Sequence, residues 1–208
     1  MKRLSLLLPV LALALAGPAL AHDEKGPARL TEPQLREGMR KLWEDHVSYT
    51  AFFYTAVVNG GDDPGKLAER LLRNQDDLGD AVKPFYGERA GAKLSALLRD
   101  HILVAADLVT AAKAGDAAAQ DRATRRWYQN ADEIAAFLSS ANPHWPRKAL
   151  EDALHGHLAM TTDAVVAKLR KDTAGAIAAY DKGREHMLMV ADLLSAGIVR
   201  QFPARFGP

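Results

Sequence analysis

From Thr31 onward, apolar residues recur at three- and four-residue steps, and proline and glycine fall almost only where such a stripe begins or ends. That rhythm predicts six helices. Thr31 caps a first, running to about Val58 and stopped by Asn59-Gly60-Gly61-Asp62, and Asp63-Pro64 opens a second that Pro84 ends. A third spans about Gly87 to Ala114, and Asp116 caps a fourth, ended by Asn142-Pro143. Pro146 opens a fifth to about Lys171, and Asp172 caps a sixth to about Gly197. No strand-like alternation with turn pairs occurs. The short connections predict an all-α fold, an up-and-down antiparallel bundle of about six helices over residues 32–199. The tail, residues 200–208, is expected to be irregular and to pack back through Phe202 and Phe206.

Each apolar stripe is interrupted once by a polar residue. Asn74 sits between Leu71 and Leu78, Asn130 between Trp127 and Ile134, and His101 between Leu97 and Val104. His46 lies in the first stripe, His157 between Leu154 and Thr161, and His186 between Tyr180 and Val190. The six positions are 28, 27, 29, 27 and 29 residues apart, and similarity is sharpest at an offset of 56. There Arg73-Asn74-Gln75-Asp76-Asp77-Leu78 matches Gln129-Asn130-Ala131-Asp132-Glu133-Ile134, and Leu98 to Ile102 matches Leu154 to Leu158. This predicts internal duplication of a helical hairpin. Antiparallel helices of similar length share a mid-plane, so four histidines and two asparagines are expected in one layer of the core.

Polar groups in a core cost several kcal/mol each if unpaired, so the layer needs partners. Asp77 and Glu133 follow the asparagines at i+3, a spacing that brings side chains to neighbouring positions on a helix. His46, His101, His157 and His186 with Asp77 and Glu133 make a nitrogen and oxygen ligand set suited to a divalent transition metal such as zinc, copper, iron or manganese. The alternative is a buried hydrogen-bond network, with Asn74 and Asn130 as members, that fixes helix register without any metal. Methionines at His157-x-x-Met160 and His186-x-x-Met189 read as core filler. Asp45 and Asp100 read as solvated, and His144 and His155 as surface residues.

The 208 residues suit one domain and contain no cysteine, which excludes disulfides, thiolate metal sites and haem attachment. Met1-Lys2-Arg3, the apolar run Leu4 to Gly17 and Ala19-x-Ala21 have the layout of a secretory signal peptide, residues 1–21, cleaved after Ala21. Residues 22–31 read as a flexible lead-in, and His22 as a new N-terminus with some capacity to chelate copper. Cleavage removes two basic residues and no acid, leaving 25 basic against 26 acidic side chains, a balance that excludes nucleic acid as a partner. No second hydrophobic segment follows, so the mature chain is expected to be periplasmic or secreted, without a membrane span.

Catalytic motifs are absent: no glycine-rich phosphate loop, no Gly-x-Ser-x-Gly, no His-Glu-x-x-His and no paired Glu-x-x-His. Leu35 to His46, Asn130 to Ser139, and the end Ala196-Gly197-Ile198 with Gln201-Phe202-Pro203 resemble a family of exported bacterial helical proteins. The resemblance implies an exported helical protein, and some members of that family carry a glycosyltransferase label. This chain has no Asp-x-Asp metal motif and no pattern of a nucleotide-sugar fold. Three functions are therefore expected in order: transition-metal binding in the central layer for sequestration, sensing or a minor redox task; an interaction or stress module with a purely structural layer; and an enzyme.

Overall fold

A computed structural model of the chain describes residues 30–61 and 63–207. The expected signal segment and most of the lead-in, His22 included, lie outside the described residues. Six helices follow one another: α1 (Glu32–Asn59), α2 (Pro64–Tyr86), α3 (Glu88–Ala114), α4 (Ala117–Ala141), α5 (Arg147–Leu169) and α6 (Thr173–Gln201), with a short 3-10 turn at Pro203–Arg205. The caps are those the sequence implies. Thr31 and Gln34 form a capping box, Asp63 accepts from the amides of Gly65 and Lys66, Asp116 from Ala119 and Asp172 from Gly175.

Three boundaries differ from expectation. Pro84 lies inside α2, which continues to Tyr86. A proline removes one amide bond and crowds the preceding turn, and so close to the helix end that disruption is confined to the last turn. The fifth helix stops at Leu169 because Lys171 turns into the left-handed region at φ 60°. The sixth runs past Gly197 to Gln201, since Leu194 and Ile198 prolong its buried stripe until Pro203.

Consecutive helices pack on one another and α6 closes against α1, giving a ring, with α1 also reaching across to α3 and α5. The α1–α6 seam is held by Arg40, which grips Asp192 with bonds of 2.9 and 3.0 Å, and by the ion pair of Arg184 with Glu44. The repeat extends to a third hairpin. Met39, Leu94 and Leu150 are buried at spacings of 55 and 56 residues, as are Trp43, Leu98 and Leu154. On the even helices Leu78, Ile134 and Val190, and then Val82, Leu138 and Leu194, are buried at strict spacings of 56. The bundle is three versions of one hairpin: α1–α2, α3–α4 and α5–α6.

The end of the bundle that holds Met39, Leu94 and Leu150 is closed by the tail. Phe206 stacks on Phe85 at 5.7 Å, Phe202 meets Tyr86 edge-on at 5.3 Å, and the amide of Gly207 donates to the Leu30 carbonyl at 3.1 Å. Among the described residues no helix is long and apolar enough to cross a membrane.

Candidate functional site: a histidine layer above an apolar cavity

Each hairpin carries the same polar stitch at mid-height. Nδ2 of Asn74 donates to the Leu42 carbonyl at 2.9 Å, Nδ2 of Asn130 to Leu97 at 3.1 Å, and Nε2 of His186 to Ala153 at 2.7 Å. In every case the acceptor lies four residues before the histidine of the partner helix: His46, His101 and His157. That carbonyl is the helical partner of the histidine's own amide, so the stitch uses its second lone pair.

The three odd-helix histidines converge. The ring of His157 lies 5.5 Å from that of His46 and 6.3 Å from that of His101. His101 is fully engaged: Nδ1 donates to Oδ1 of Asn130 at 2.7 Å, and Nε2 accepts from the indole N–H of Trp127 at 3.0 Å. An amide oxygen only accepts and an indole only donates, so the neutral Nδ1-protonated tautomer is imposed. Nδ1 of His46 lies 3.3 Å from Nε2 of Gln75, and Nδ1 of His157 is buried with no partner.

Burial keeps the layer uncharged. Desolvation, then the neighbouring His101, pushes His46 down to about 3 despite the opposing bond from Gln75. Desolvation lowers His101 to about 4, and desolvation with the surrounding histidines holds His157 well below its ordinary value.

The expected site residues thus divide. His46, His101, His157, Asn74 and Asn130 come together. His186 is only half-buried, its Nε2 spent on the α5 backbone. Asp77 is exposed, and Glu133 turns outward to Arg126 at 3.3 Å and Gln129 at 3.0 Å, so neither carboxylate enters the layer. Among the described residues no group of three or more histidines and acids is arranged to hold a metal ion. His144 is exposed and His155 pairs with Asp132 at 2.8 Å. Two participants were not expected. Gln75 is fully buried beside Asn74, a position legible only as a polar residue flanking the stripe. Asp100 accepts from Nδ2 of Asn130 at 3.1 Å and pairs with Arg126, so it braces the layer from outside.

The two sides of the layer are packed differently. Toward the tail, the void among Trp43, Leu98, Leu154 and their neighbours is only about 20 Å³. On the other side lies a cavity of about 370 Å³. Its origin is in the repeat. One turn beyond each histidine the odd helices carry Thr50, Ala105 and Thr161, all small and all lining the cavity. The next turn supplies Tyr54, Val109 and Val165 as walls, while Leu71 and Trp127 roof it beneath the layer. Gln120 and Thr124 of α4 and Thr162 and Asp163 of α5 form a polar mouth, between the two neighbours in the ring that pack least against each other.

Compared with known proteins, the chain matches no family model, no curated protein and no solved structure.

Proposed function

We propose that this chain is an exported, non-catalytic binding protein that takes up a small apolar molecule in the cavity below its histidine layer. The observation that carries this is the contrast of about 370 Å³ on one side of the layer with about 20 Å³ on the other, in hairpins of equal register. Ligand pockets of ~300–1,000 Å³ lined by apolar and aromatic groups with a few polar ones are the usual small-molecule sites. A hollow of this size forgoes packing that a bundle of matched hairpins would otherwise gain, and a ligand restores it. The layer holds its roof rigid: Trp127 cannot leave the cavity roof without breaking its bond to His101. The Met1–Ala21 layout supports export.

The test is titration of the purified protein with naphthalene, read by quenching of Trp127. Wild type is expected to bind. Ala105→Leu, which fills the cavity, should weaken binding at least tenfold while leaving the helical spectrum and melting temperature intact. Binding that is absent, or insensitive to Ala105→Leu, contradicts the proposal.

A transition ion in the layer is a second reading, favoured by one observation: Nδ1 of His157 has no partner, and its ring lies 5.5 Å from that of His46 and 6.3 Å from that of His101. Both His101 nitrogens are already occupied and the carboxylates lie outside, so such an ion would have to displace Trp127 or bind through two imidazoles. A rise in melting temperature with zinc, copper, iron or manganese at neutral pH, lost in His157→Ala, would favour it over the structural layer.

A further inference from the structure

The cavity has a polar annex. A chamber of about 20 Å³ is lined by Thr50, Tyr54, His157, Thr161, Tyr180 and Gly183, and shares Thr50, Tyr54 and Thr161 with the cavity. That is room for one group the size of a water molecule. Two of the residues that line it each carry a side-chain atom buried without a partner: Oγ1 of Thr50 and Nδ1 of His157, the latter on a residue only 5% exposed. Buried polar atoms in a native core are nearly always bonded, so two orphans on residues lining one small chamber mark a place where something else supplies the bonds.

We infer that the ligand is an uncharged, mainly apolar molecule bearing one hydroxyl or carbonyl head, which seats in this chamber against Thr50 and His157. The inference rests on the small-molecule reading above. Size follows from the cavity. A void of ~150 Å³ holds benzene, so about 370 Å³ accommodates on the order of fifteen non-hydrogen atoms. Charge follows from the walls. Among the described residues no lysine or arginine lines the cavity or the chamber, and the one charged residue, Asp163 at the mouth, repels anions. The histidines offer no compensating cation, because burial keeps them neutral. An anionic head would therefore be stranded in a dry site, whereas a hydroxyl can give its proton to one orphan and accept from the other. Tyr54, which lines both chamber and cavity, stays a phenol, its pKa raised to about 12 by burial and by Tyr180.

The experiment compares three probes on the intact protein at pH 7.5: naphthalene, 1-naphthol and 1-naphthoate. The expected order is 1-naphthol at least tenfold tighter than naphthalene, and 1-naphthoate at least tenfold weaker than 1-naphthol. Thr50→Val keeps the side-chain shape and removes an unpaired hydroxyl, so it should fold as wild type and should bring 1-naphthol to within threefold of naphthalene. His157→Gln should shift the same ratio. If naphthalene and 1-naphthol bind equally in wild type, or if Thr50→Val leaves their ratio unchanged, the head-group site is wrong and the chamber holds only water. If none of the three binds, the small-molecule reading fails with it.

Discussion

The indole N–H of Trp127 donates to Nε2 of His101 at 3.0 Å, and the same indole ring roofs the apolar cavity. One residue thus joins the polar layer to the hollow below it. Trp127→Phe keeps an aromatic wall but leaves a buried imidazole nitrogen unpaired. We expect a loss of about 1–3 kcal/mol in urea unfolding, the cost of stranding a buried acceptor. A loss below about 0.5 kcal/mol would mean that the bond does not fix the layer.

The three stitches are equivalent in position and unequal in burial, which orders their mutational cost. Asn130 is fully buried and bonds the Leu97 carbonyl, His101 and Asp100. His186 is half-buried and makes one bond. Asn130→Ala should therefore destabilise by about 2–4 kcal/mol and His186→Ala by about 1 kcal/mol. Equal costs would contradict the network described.

The buried histidines also set the acid limit. Their folded pKa values lie below the unfolded value of 6.5, at about 4 for His101 and about 3 for His46. The unfolded chain therefore binds more protons in this range. Stability is complete above pH 6.5 and falls as the pH drops below it, at roughly 1.4 kcal/mol per pH unit for each histidine. Between pH 7 and 5 His46 and His101 should each cost about 2 kcal/mol, with His157 acting in the same direction, a large share of the stability of an ordinary domain. Urea midpoints across that range measure the slope. His101→Gln should reduce it, and exposed His144→Gln should leave it unchanged. A flat profile would mean that the imidazoles are charged or solvated.

Much of the fold is legible because the helix boundaries and the mid-helix polar positions follow one rhythm of about 28 residues. Stripe periodicity alone brings His46, His101 and His157 to one height. Asp77 and Glu133 illustrate where spacing misleads. At 100° per residue, Asn74, Gln75, Leu78 and Val82 share an arc of about 100°, and Asp77 falls roughly 115° from its centre. The i+3 neighbour of a stripe residue is on the same side of the helix only when the stripe leans that way. Here Gln75 shows that it leans the other way. The cavity was hidden for a different reason. Thr50, Ala105 and Thr161 are each one small residue on its own helix, and become a hollow only once three hairpins stack them at one level.

Heteronuclear correlation NMR of the isotope-labelled protein titrated with naphthalene tests ligand uptake in the cavity most directly. Amide shifts are expected to concentrate at Ala105, Val109, Thr161 and Val165, with the Trp127 indole resonance moving too, while Val82 and Leu194 at the closed end stay fixed. Shifts spread evenly over the bundle, confined to exposed Phe52 and Ile177, or absent at saturating probe would contradict a binding cavity beneath the histidine layer.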